Sequence, residues 1–175
     1  MAKYRKFGIE FFNPQVDDWT PELADVEAHH LANDDVILFP VTGETLGTDS
    51  LAEIGFSVLT AMRWASHRFV VVYVEPAVHK ALEMQDAVAA KESNRARKLA
   101  IAHLRQSLPS NVFVVQSLES MLTVSLKLYA ACNLLNQVRE GATPETSMSS
   151  AFWRDVLGQH EVEPVWSKSS ANCGL

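Results

Sequence analysis

The chain is expected to fold as an α/β domain built on a parallel sheet, and three observations carry that expectation. Short apolar runs recur at Val36 to Val41, Phe69 to Val74 and Val112 to Val115. They are rich in Val, Ile and Phe without alternation, as strands buried on both faces are. Longer segments with apolar residues at helical spacing lie between them, so strand and helix alternate and right-handed crossovers follow.

Taken in order, Phe7 to Phe12 reads as a further short strand, ended by Asn13-Pro14 because proline lacks an N–H and restricts the residue before it. The loop Gln15 to Thr20 carries Asp17, Asp18 and Trp19. Thr20-Pro21-Glu22 opens a helix to Leu31, with Thr20 as cap and Pro21 at the first helical position. Val36 to Val41 runs into a small acidic loop, Thr42 to Asp49. A helix is expected from Ser50 to Ser66, with Leu51, Ile54, Val58, Leu59 and Met62 on one face. Glu75-Pro76 stops the strand Phe69 to Val74. The helical region Val78 to Leu108 is expected to break near Lys91 to Asn94. Val112 to Val115 leads into a last helix, Leu118 to Val138. Residues 1–139 form one domain on this reading. Residues 140–175 form a small, polar linker (Gly141 to Ser150), a short helix (Ala151 to Gly158) and a C-terminal tail.

Composition narrows the function. A net charge of -6 argues against a general binder of nucleic-acid polymers, since no broad basic surface is present to neutralise phosphates. Cys132 and Cys173 are far apart and outside any CxxC or Cys/His cluster, which argues against a disulfide scaffold and structural zinc. The start, MAKYRKFGIEFF, lacks a signal-peptide core, and no apolar run reaches membrane-spanning length. The expectation is a cytoplasmic globular protein without a membrane partner. His29 and His30 read as an exposed helix face rather than metal ligands. Arg95, Arg97 and Lys98 read as a solvated one.

The stretch Asp35 to Phe56, DVILFPVTGETLGTDSLAEIGF, is the most informative. It places Glu53 in the first turn of a helix beside the carboxyl end of a strand, where open α/β sheets hold ligands. Unpaired helix N–H groups there would stabilise the ionised carboxylate, a good setting for a nucleophile. The alternative is structural: Glu53 follows Ser50 by three residues, the spacing of a capping box. Asp17 and Asp18 have the parallel alternative of ordinary turn residues.

GIEFFNPQVDDWTPE, then DVILFPVTGETLGTDSLAEIGF, then RFVVVYVEP resemble the nucleoside 2-deoxyribosyltransferase-like family in order and spacing. The resemblance covers most of Phe7 to about Leu128. It implies a flavodoxin-like (Rossmann-like) parallel sheet flanked by helices, association as a homodimer or larger homo-oligomer, and no cofactor. It also implies cleavage of the N-glycosidic bond of (deoxy)nucleosides through a covalent glycosyl-carboxylate intermediate. On it, Glu53 is the nucleophile and Asp18 the acid at the leaving base. Asn13, Asp17, Asp49 and Ser50 bind substrate. The alternatives are an N-glycosidase of nucleoside 5'-monophosphates, with Ser50 and the neighbouring amides as the anion site, and an inactive nucleotide-binding or interaction module. The apolar helix Leu118 to Val138 is the expected subunit contact.

Family members begin with a further strand and helix, whereas this sequence opens at that helix's end, with Ala2 to Lys6 as its remnant. That strand is central in flavodoxin-like sheets, so two neighbouring strands are expected to lack ladder partners. Three outcomes are open: the tail folds back with Val162 to Trp166 as a replacement, a second subunit completes the sheet, or the sheet closes around the gap.

Overall fold

The computed structural model describes residues 1–15, 20–63, 68–106 and 110–140. The nine described elements are α1 (Ala2–Lys6), α2 (Pro21–Asn33), β1 (Val36–Val41), α3 (Thr48–Arg63), β2 (Phe69–Val74), α4 (Lys80–Gln85), α5 (Ala87–Gln106), β3 (Val112–Val114) and α6 (Leu118–Arg139). Among the described residues the sheet is three-stranded and parallel, in the order β1-β2-β3. With helices on both faces, this mixed α/β architecture is consistent with a flavodoxin-like fold.

Burial explains why these segments are strands. Val70, Val71 and Val72 of the central strand are all fully buried, and each contributes about 1.5–3 kcal/mol relative to exposure. Ile37, Phe39 and Val41 pack with Ile54, Val72, Val74 and Leu104 under α3 and α5. On the other face α6 crosses β1 and β2. Its own cluster joins Leu126 and Ala130 to Ile9, with Tyr4 and Phe7 packed alongside. The hydroxyl of Ser117 accepts from the Ser120 N–H at 3.0 Å and caps the start of α6.

Two expectations are corrected here. Phe7 to Phe12 forms no strand. The backbone turns at Gly8, with φ of 67°, and the Ile9 N–H donates to the Tyr4 carbonyl at 3.0 Å. A strand needs a ladder partner, and the apolar side chains of this segment find helices instead. Ile9 joins α6, and the Phe12 ring stacks on His30 of α2 at 4.1 Å. The helical break falls at Asp86 rather than near Lys91 to Asn94. The Asp86 carboxylate accepts from the N–H groups of Val88 and Ala89 at 3.1 and 2.9 Å, starting α5 as a side-chain cap.

β1 is an edge strand of this sheet, with no paired strand on its far side among the described residues. The strand tolerates that edge partly through Pro40. The carbonyls of Asp35 and Val41 accept from β2, and alternate residues of a parallel strand bond to the same side. Pro40 therefore turns its missing N–H toward the free edge, where proline is accepted. The helix expected at Ala151 to Gly158 and the tail lie outside the described residues. No helix among those described is long and apolar enough to cross a membrane.

Candidate functional site

The carboxyl ends of β1 and β2 are joined by one hydrogen-bonded network, and Arg97 is its centre. Its side chain is 0% exposed, the largest fully buried group among the described residues. Nε donates to Ser93 Oγ at 3.1 Å, and Nη1 donates to the carbonyls of Val41 and Glu75 at 3.3 and 3.0 Å. Nη2 reaches the carbonyls of Thr42, Thr45 and Leu46 at 2.9, 2.7 and 3.3 Å. Burial depresses the affinity of this guanidinium for its proton, and the Glu75 carboxylate partly restores it. Carbonyl dipoles take the place of water around the charge. The expected solvated face is thus corrected for Arg97, while Arg95 and Lys98 are exposed.

The same network extends outward. The Gly43 N–H donates to Glu75 Oε2 at 2.7 Å, and the His79 N–H donates to the Gly43 carbonyl at 2.8 Å. His79 Nε2 lies 3.5 Å from Glu75 Oε1. Asn94 Oδ1 accepts from the Val78 N–H at 2.8 Å, and Ser93 Oγ donates to the Leu46 carbonyl at 2.6 Å. The loop 42–47 is therefore tied to both β2 and α5.

Helix α3 leaves this loop two residues earlier than expected, at Thr48, and its first bond runs from the Leu51 N–H to the Gly47 carbonyl at 3.0 Å. Glu53 consequently lies in the second turn, and Asp49 is the acidic residue of the first. This removes both the capping-box geometry with Ser50 and the expected stabilisation by free helix amides. What surrounds Glu53 is acidic: it is half-buried, and desolvation, then Glu27 of α2, then Asp49 raise its pKa above the ordinary 4.5. Among the described residues, the charges acting on it are both carboxylates.

The remaining expected residues lie on separate segments. Asp49 is exposed and Ser50 half-buried at the helix start. Asn13 is half-buried just after Phe12, which stacks on α2 one turn beyond Glu27. Asp17 and Asp18 lie outside the described residues. An open cleft of about 560 Å³ along α4 and α5 is lined by Glu83, Lys91, Asn94, Arg95, Lys98 and Leu99, and shares no residue with this set.

Glu27, Glu75 and Arg97 were not singled out as site residues from the sequence. For Arg97 a signal exists: Ala90, Ser93, Arg97 and Leu104 are the buried residues of α5. An arginine in register with small and apolar positions on a helix is a buried arginine. Glu27 carries no such mark, since its relation to Glu53 exists only across two helices. No family model, curated protein or solved structure matches this chain.

Proposed function

We propose that the chain cleaves the N-glycosidic bond of (deoxy)nucleosides, with Glu53 as the nucleophile. The observation that carries this reading is the setting of Glu53: a half-buried carboxyl group in the second turn of α3, the helix that follows β1, acted on by Glu27 and Asp49. A negative surround favours the oxocarbenium-like transition state at C1', whereas the raised pKa works against the nucleophile by favouring its protonated form, so Glu53 attacks only above that pKa.

In the proposed sequence a Glu53 carboxylate oxygen bonds to C1' as the C1'–N bond breaks. The base leaves with that electron pair and takes a proton, for which the resemblance supplies Asp18. A second base or water then attacks C1', passing its proton back to the Asp18 carboxylate, and Glu53 departs as a free carboxylate. Asn13, Asp17, Asp49 and Ser50 hold the sugar and base in this scheme, and no cofactor is called for. The nucleotide alternative is less well supported, because Arg97, on the helix facing the loop, commits its donors to carbonyls. A ligand-binding module without turnover is favoured by one observation: the open cleft along α4 and α5 shares no residue with Glu53, Asn13, Asp49 or Ser50.

The same reading includes a cytoplasmic location and self-association through α6, whose Leu134, Leu135 and Val138 remain 39, 51 and 70% exposed. A monomer mass by light scattering at micromolar concentration would remove that contact. The central test is incubation with a panel of deoxynucleosides and nucleoside monophosphates, with free base followed by chromatography. Glu53→Ala is expected to abolish release while circular dichroism remains native. Unchanged turnover in that variant would exclude the mechanism.

A further inference from the structure

We propose that Arg97 is the positioning residue of this site: by gathering carbonyls from the ends of both strands and the loop 42–47, it sets where α3 begins and hence where Glu53 stands. The inference rests on the glycosyl-cleavage reading for its kinetic consequence alone. The loop joins a buried strand to the helix carrying Asp49, Ser50 and Glu53, so its course determines the register of all three.

The hydrogen-bond pattern shows how one side chain does this. In a planar trans peptide the carbonyl of one residue and the N–H of the next point in opposite directions. Drawing the carbonyls of Thr42, Thr45 and Leu46 toward Arg97 turns the N–H groups of Gly43, Leu46 and Gly47 away from it. Gly43 obeys this rule, for its N–H meets Glu75 Oε2 on the other side. The guanidinium thus fixes the direction of three loop peptides. Gly47 lies at φ of 64°, and an added Cβ would stand 3.2 Å from Nη2.

The chemistry is specific to arginine. Its planar fork offers five N–H donors in fixed directions, and here they serve six oxygen acceptors. Lysine keeps the charge with only three donors on one atom, and cannot reach both strand ends and the loop at once. Ser93 secures the fork, accepting from Nε while donating to the Leu46 carbonyl.

The experiment uses the full chain and the variants Arg97→Lys and Ser93→Ala. Hydrogen exchange is followed in peptides covering 42–51, with 69–74 as the internal reference. The expected result is exchange in 42–51 faster by about tenfold or more in Arg97→Lys, and by less in Ser93→Ala, with the reference strand unchanged. If the chain releases base, kcat of Arg97→Lys is expected to fall roughly tenfold to a hundredfold with KM nearly constant, the signature of a displaced reacting group. Unchanged loop exchange in both variants would overturn the proposal. So would equal acceleration in both segments, or loss of the fold in both variants, since Arg97 would then support the domain rather than the loop. Wild-type kcat in Arg97→Lys would break the link to Glu53. A wild-type chain that releases no base refutes only the glycosyl-cleavage reading, and the exchange result still decides the positioning role.

Discussion

Replacing Gly47 by alanine tests the geometry at the entrance to α3, and the structure supplies its magnitude. Gly47 has φ of 64°, a conformation that costs an L-residue about 1–2 kcal/mol. An added Cβ would also stand 2.7 Å from Val41 Cγ1, and Val41 is a buried residue of the main cluster. Overpacking of this kind costs about 1–3 kcal/mol, which brings the sum to roughly 2–5 kcal/mol. Gly55 is the control, because it is an exposed position inside α3 where an added Cβ meets nothing within 4 Å. Gly55→Ala should instead stabilise by about 0.5–1 kcal/mol. Both exchanges restrict the unfolded chain alike, so their difference isolates the folded state. Urea unfolding followed by circular dichroism measures both, and the melting temperature should fall by roughly 5–15 °C in Gly47→Ala. A difference between the two variants below about 1 kcal/mol would refute the account of this loop.

Four further outcomes are expected. Burial and two carboxylates raise the pKa of Glu53, so the folded chain binds that proton more tightly than the unfolded one. The stabilisation from protonation is full below the ordinary value of 4.5 and is lost as pH rises through the raised folded value. Glu53→Gln should therefore be slightly more stable than the native chain near neutral pH and equal to it in acid, a small effect for a half-solvated group. The acid limb of base release should lie above pH 4.5 and move down in Glu27→Gln and Asp49→Asn, and an unmoved limb would deny their influence on Glu53. Tyr4 Oη is 2.6 Å from Ser125 Oγ, tethering α1 to α6, and Tyr4→Phe should cost about 1 kcal/mol in urea unfolding. Arg68 donates to the carbonyls of Leu31 and Ala32 at the end of α2, and Arg68→Ala should cost roughly 2–4 kcal/mol, with unaltered stability as the contrary result.

Most of the architecture was legible because period and composition are local properties. Val36–Val41 and Phe69–Val74 read as buried strands, and the structure gives them those bounds. Errors arose where a segment's state depends on what lies beside it. Phe7 to Phe12 has the composition of a strand, but Ile9 and Phe12 are held by helices. Helix α3 starts at Thr48 rather than Ser50, behind Gly47 at positive φ, in a loop whose carbonyls are held by Arg97 from another helix. That shift of two residues changed the chemistry assigned to Glu53, from a carboxylate eased by helix amides to one crowded by other acids.

The sequence by itself determined that short buried strands alternate with helices, and that Glu53 follows the carboxyl end of the first of them. It did so because hydrophobic period and strand-to-helix order survive without three-dimensional context. Only the tertiary structure decided that the charge of Glu27 acts on Glu53 and that Arg97 is withdrawn from water among the carbonyls of the loop between strand and helix. Those facts depend on side chains from distant parts of the chain meeting across packed elements, where burial changes what a charge costs and which partners it must find.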